Sequence, residues 1–257
     1  MIPMVDVHAH ILPHFDDGPD VTKISLEMLR ESKRQGVDKI ISTSHCYPRS
    51  SKSINEFIYD RTESIMRLRE AIEKTGEDLP KIYAGCELNL GRDISDDTHL
   101  LELCTEGTEY LLLEMPYTQW QQWCIDAVYK ITLRGITPVM AHIDRFLFQK
   151  PELLNSLFEL DVLYQVNAEA FIDKKMRKQV DMLFETGRIH FLGSDMHNMD
   201  LRKPNIEEAR KVIIKRYGKG HMEYLEENNE RLLKNEAIDI TGYQRLHKKS
   251  LLKRILG

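Results

Sequence analysis

Cysteine is scarce in this 257-residue chain: Cys46, Cys86, Cys104 and Cys124, with no C-x-x-C pair. That excludes a paired-cysteine zinc site and argues against a disulfide framework, so four reduced and mostly buried thiols are expected. Long apolar runs are missing, and none approaches the roughly 18 residues of a membrane span. The first residues lack a basic region followed by an apolar one, so a cytoplasmic location is expected. Positive charge is not in excess: 36 Lys and Arg against 41 Asp and Glu give a net charge of −5. General nucleic-acid binding is therefore not expected. Low-complexity linkers and fixed-period repeats are also lacking, and so is a dinucleotide-type Gly-rich loop after the first strand. With 42% hydrophobic and 30% charged residues, the composition suits a globular protein, expected as one domain over 1–257.

What is present is an alternation. Segments rich in β-formers occur at about 4–9, 38–44, 80–87, 109–115, 136–142, 162–167 and 188–194. Between most of them lie helix-like stretches such as 23–36, 54–76 and 123–135, several closed by a glycine: Gly36, Gly76, Gly135, Gly187. Strand and helix alternating in this way predict an α/β fold with parallel strands and helical crossovers, and a closed or nearly closed barrel. From about 206 to 257 the chain reads as helical, packed on the barrel. Its basic amphipathic end, 245–257, is expected either to pack as a terminal helix or to touch an anionic membrane face or acidic partner.

Polar residues gather at the carboxyl ends of these segments. In "VDVHAH" the valines and Ala9 alternate with Asp6, His8 and His10, an apolar face against one able to hold protons or metal. Asp16 and Asp17 follow in the loop, and His45, Glu87, Glu114 and His142 each close a later segment. "GSDMH" adds Asp195 and His197 after the seventh. In barrel enzymes this rim is where catalytic groups converge. So many imidazoles and carboxylates exceed what one ion can use, and mixed N and O donors suit Mn, Fe, Zn or Co. Such ions serve hydrolysis, activating water and neutralising the oxygens it attacks. Arg145, three residues past His142, and Arg202, five past His197, add forked donors that suit phosphate. Metal-assisted phosphoester hydrolysis follows.

With those residues assembled, the sequence resembles the PHP (polymerase and histidinol phosphatase) superfamily, and within it the CpsB/CapC type of bacterial protein-tyrosine phosphatase. The carrying segments are "DVHAHILPHFDDGP", "STSH", "GCEL", "LLLEMP", "GITPVMAHIDRF", "VNAEA" and "GSDMHN". The resemblance implies a distorted seven-stranded (β/α)7 TIM-like barrel holding three divalent ions, commonly Mn2+, with Fe, Co, Zn or Mg as alternatives. It implies a first metal on His8, His10, Glu87 and Asp195, and a second on Glu87, Glu114 and His142. Asp17, His45 and His197 would hold the third. Arg145 and Arg202 would grip phosphate while a metal-bridging hydroxide attacks, with Asp17 and His45 counted among the catalytic groups. The implied partner is the phosphotyrosine tail of a bacterial tyrosine kinase controlling capsule or exopolysaccharide export.

Three questions stay open at the level of sequence. Tyr117, Trp120 and Trp123 either stack on a phosphotyrosine ring or, for the tryptophans, anchor the next helix. "CELNLGR" has the C-x5-R spacing of cysteine-dependent phosphatases, yet Glu87 beside Cys86 disfavours a thiolate, so a buried structural thiol is expected. A small phosphoester such as histidinol phosphate is the alternative substrate, and an inactive kinase-binding barrel is disfavoured by the complete ligand set.

Overall fold

The computed structural model describes residues 4–238. The expectations for the basic tail at 245–257 fall outside the described residues. Nine strands are present among them: β1 (Met4–Ala9), β2 (Val37–Ser42), β3 (His45–Cys46), β4 (Lys81–Ala84), β5 (Glu87–Asn89), β6 (Tyr110–Glu114), β7 (Thr137–Met140), β8 (Leu163–Asn167) and β9 (Phe191–Gly193). Every laddered pair is parallel, in the orders β1-β2-β4 and β3-β5-β6-β7-β8-β9.

The seven expected strands are all there, but the second and third are each broken. β2 and β3 are two parts of one stave, interrupted at Thr43 and Ser44, and β4 and β5 are parts of the next, interrupted at Gly85 and Cys86. At the break the Glu87 amide donates to the Thr43 and Ser44 carbonyls, and a Cβ on Gly85 would lie 2.7 Å from Ile41 Cγ2.

Between the staves run helices with conventional signals. α1 (Thr22–Arg34) buries Ser25, Met28, Leu29 and Ser32, one face at helical spacing. Burying Met28 and Leu29 is worth about 1.5–3 kcal/mol each. α2 (Ser51–Thr75) opens with a capping box between Ser50 and Ser53 and closes on left-handed Gly76. Short α3 (Leu100–Leu103) precedes β6 and α4 (Gln122–Thr132) follows it; α5 (Pro151–Phe158) precedes β8, α6 (Ala168–Ile172) and α7 (Arg177–Glu185) lie between β8 and β9, and α8 (Ile206–Tyr217) and α9 (Lys219–Leu233) follow β9. No helix among the described residues is long and apolar enough to cross a membrane.

The barrel closes between β9 and β1 with few ladder bonds. At the top, the Asp195 amide donates to the His8 carbonyl at 2.7 Å and the His10 amide to the Met196 carbonyl at 2.9 Å. This approach needs glycine, because a Cβ on Gly193 would lie 2.5 Å from His8 Cβ. At the bottom, Asn229 of α9 bridges the seam, its amide donating to the Val5 carbonyl at 2.7 Å and the Leu192 carbonyl at 2.9 Å. No ladder among the described residues pairs β1 with β9, so these two bonds tie strands that are not sheet neighbours.

Inside, the lower layers are apolar: Val5, Val7, Tyr110, Leu112, Val139 and Phe191 form one cluster with Leu232 of α9. One sequence expectation is corrected here. Asp6 does not share the metal-facing side with His8 and His10; its Oδ1 accepts from the amides of His8 and Ser194. A register irregularity between Asp6 and Ala9 breaks the alternation.

Candidate metal centre

The barrel's upper interior holds the titratable residues. His8 and His10 are fully buried, and their Nε2 atoms face each other at 3.3 Å. Glu87 Oε2 lies 3.3 Å from His8 Nε2 and 3.2 Å from His10 Nε2, and Asp195 Oδ1 is 3.4 Å from His8 Nε2. These four side chains form one potential ligand set, and His10, Asp17, His45 and His197 form a second. In the second set, Asp17 Oδ1 sits 3.1 Å from His197 Nε2 and 3.4 Å from His45 Nε2. A third groups His45, Glu87 and Glu114. His142 lies beside this third set, its Nε2 2.6 Å from Glu87 Oε1 and 3.5 Å from Glu114 Oε1. Every residue expected as a ligand is thus within one connected cluster, with His10, His45 and Glu87 shared between sets.

Two observations fit this cluster to cations. His45 Nδ1, Glu87 Oε2, His142 Nδ1 and His197 Nε2 are buried atoms without a hydrogen-bond partner. Such atoms are costly unless something else binds them. In addition, His142 and Asp195 hold the left-handed backbone region, at φ 32° and 55°. Non-glycine residues there cost about 1–3 kcal/mol each and cluster at functional sites.

Charge is strongly organised. Burial opposes protonation of His10, but its bonds to Asp16 and Glu87 outweigh that and push it up to about 10. His197, whose ring stacks on His10 at 3.8 Å, is pushed down to about 3 by burial and by the charges of His10 and Arg202. Burial would raise the Glu87 carboxyl, yet His8 and His142 hold it well below the usual range. Neutral imidazole and ionised carboxylate are the forms that bind metal.

Both arginines reach the same carboxylate. Arg145 Nη2 is 2.6 Å from Asp195 Oδ2, and Arg202 Nη2 is 2.7 Å from Asp195 Oδ1. Arg202 Nη1 also approaches Asp17 Oδ2 at 3.4 Å. Separate loops therefore bring two guanidiniums to one edge of the cluster.

Several positioning residues escaped the sequence reading. Gln165 Oε1 meets His8 Nδ1 at 3.1 Å and accepts from the His142 amide at 2.8 Å, while its Nε2 donates to Asn167. Asn167 Nδ2 then donates to Asp195 Oδ2 at 2.7 Å. Asp16, seen in the sequence without a role, takes His10 Nδ1 at 2.8 Å and the His45 amide at 2.9 Å. Such partners fix the orientation of ligating imidazoles. Asn167 was findable: it ends β8, the single stave for which no strand-end residue had been singled out.

Among the aromatic candidates, Tyr117 stands at the rim with its hydroxyl 3.2 Å from Arg145 Nη1. Trp120 does not: it is 1% exposed, donates its indole N–H to the Pro116 carbonyl and packs on Phe146. It anchors the loop into α4, which corrects its candidacy for substrate contact, and Trp123 packs against the core beside it. Cys86 is buried with its thiol on the Leu103 carbonyl, and burial pushes that thiol well up, whereas Arg92 is tied to Pro48. No thiolate cradle exists there.

A parallel barrel with a His/Asp/Glu cluster and two arginines at its C-terminal mouth defines the class: a TIM-like barrel with several potential metal-binding clusters at its mouth. The family described as "Capsular polysaccharide synthesis, CpsB/CapC" matches residues 4–234, and the chain belongs to it. Tyrosine-protein phosphatase CpsB of Streptococcus agalactiae is 32% identical over 248 residues, covering 91% of this chain and all of that protein. Tyrosine-protein phosphatase YwqE of Bacillus subtilis is 31% identical over 247 residues, covering 91% and 93%. The crystal structures of YwqE and of Streptococcus pneumoniae CpsB, described as unique metal-dependent tyrosine phosphatases, provide a match with TM-score 0.81 and 28% identity, over 95% of this chain and 100% of that one.

Proposed function

We propose that the chain is a metal-dependent protein-tyrosine phosphatase acting as one catalytic domain over residues 1–257. The observation that carries this reading is the convergence of three overlapping donor sets with two arginines on one carboxylate. The relatives' activity agrees with it. His8, His10, Glu87 and Asp195 would hold one divalent ion, and Glu87, Glu114 and His142 a second. Asp17, His45 and His197 would hold a third, with Mn2+ the first ion to test. Bound ions supply a nucleophile from water at neutral pH and neutralise phosphoryl oxygens.

The chain's own residues do the rest. Arg145 and Arg202 bind the non-bridging oxygens through forked donors, and Tyr117 orients Arg145. Asp16 and Gln165 fix the rings of His10 and His8, and the buried cluster keeps these charges out of bulk water, where they would be weak.

A polypeptide substrate is favoured over a small metabolite by the open rim. A groove of about 630 Å3 runs from His45 between Phe15 and the Phe57–Arg67 face of α2. Tyr47, Tyr117, Phe148 and Leu201 are exposed apolar side chains on four different rim loops. The physiological substrate is then the tail of a bacterial tyrosine kinase, met in the cytoplasm.

The test is phosphate release from a phosphotyrosine peptide before chelation, after it, and after Mn2+ is returned. Loss and recovery are expected. Activity surviving complete metal removal would overturn the mechanism.

A further inference from the structure

We propose that Tyr47, paired with Tyr117, holds the phenyl ring of the substrate and makes the site selective for aryl over alkyl phosphomonoesters. The proposal rests on the phosphatase reading above and adds a residue that neither the sequence motifs nor the relatives single out. With Trp120 turned into the core, the exposed rings described against imidazoles of the cluster are those of Tyr47 and Tyr117, 59% and 53% exposed.

Each tyrosine stands over a different imidazole. Tyr47 lies two residues past His45, with ring centroids 5.2 Å apart and planes tilted by 32°. Tyr117 lies three residues past Glu114 and stacks on His142 at 6.3 Å and 27°. Those imidazoles meet different oxygens of one carboxylate: His45 Nδ1 is 3.1 Å from Glu87 Oε2, and His142 Nε2 is 2.6 Å from Glu87 Oε1. Each ring is thus separated from Glu87, the carboxylate shared by both imidazoles, by one imidazole. Both are held in place. The Tyr117 hydroxyl accepts from Arg145, and the residue after Tyr47 is Pro48, whose carbonyl accepts from Arg92 Nε at 3.2 Å.

A phosphotyrosine carries its ring one ester bond from phosphorus, so a phosphate held by Arg145 and Arg202 places that ring between these walls. A phosphoserine has no π surface to offer there. Offset or edge contacts between aromatic rings change affinity by about three- to tenfold per wall. Neither tyrosine takes part in bond breaking, so the effect belongs in binding.

The experiment measures affinity of the metal-loaded full chain for two non-hydrolysable probes. One is a peptide bearing 4-(phosphonomethyl)phenylalanine, and the other is the same peptide with the phosphonate analogue of phosphoserine. Tyr47→Ala should lower the aryl-over-alkyl affinity ratio by about three- to tenfold. Tyr47→Phe should keep it, as should Tyr129→Ala, an exposed tyrosine in the last turns of α4 that makes no described contact with the cluster. An unchanged ratio in Tyr47→Ala, equal weakening of both probes, or no aryl preference in the wild type would each overturn the proposal. The phosphatase reading fails separately: a chain that shows the Tyr47-dependent preference but releases no phosphate with Mn2+ keeps the ring site and loses the activity. A wild type that binds neither probe ends both.

Discussion

The two ends of this barrel are built from the same strands and do opposite things. The lower interior is an apolar cluster of Val5, Tyr110, Leu163, Phe191 and Leu232, sealed by α9 and stitched by Asn229. The upper interior, buried except for Asp17 and part of His45, is a cluster of imidazoles and carboxylates in which His142 and Asp195 take left-handed backbone and several polar atoms are unpartnered. The difference teaches that burial here has two uses. Below, it removes apolar surface from water and stabilises; above, it concentrates charge at a stability cost that bound cations offset.

The sharpest way to break the comparison is at Glu87, the carboxylate common to two of the donor groups. Glu87→Gln should abolish phosphate release while leaving the melting temperature of the metal-free protein unchanged or raised. A large fall in that melting temperature would mean the upper cluster also holds the fold. Phe191→Ala should do the reverse, costing about 3–5 kcal/mol in denaturant unfolding. Its kcat per folded molecule should stay at the wild-type value.

Smaller effects sharpen the boundary. Gln165→Ala, which frees the His8 ring, should weaken metal affinity or activity by about 10–100-fold, read by metal titration. Asn229→Ala should cost about 1–3 kcal/mol by removing both of its hydrogen bonds across the seam, with metal affinity unmoved. Least of all, Cys86→Ala should leave phosphate release unaltered; loss of turnover with metal uptake intact would reopen the thiol route.

Much of this was legible in the sequence because it follows short-range periodicity. Gly36, Gly76, Gly135 and Gly187, expected as helix stops, all take positive φ. His8, His10, Glu87 and Asp195 could be placed at one rim because strand ends in a parallel barrel share a rim. The misses have a common cause. Asp6 was assigned by strict alternation, which a local register irregularity broke. Trp120 looked like a rim aromatic, but the Pro116 carbonyl and Phe146, brought close by a loop, gave its indole a buried seat. Gln165 carries no motif at all, since an amide's role depends on what faces it.

The sequence by itself determined the alternation of strands and helices, the helix ends, and which residue types line the mouth. Those depend on backbone propensity and on spacing within a few residues. The tertiary structure decided which carboxylate is shared, where Asn229 closes the seam, and which tyrosines stand over the imidazoles. Each of those is a contact between side chains far apart in the chain, as with Asn229 and Val5, separated by 224 residues. Only closure of the barrel gives such pairs a distance.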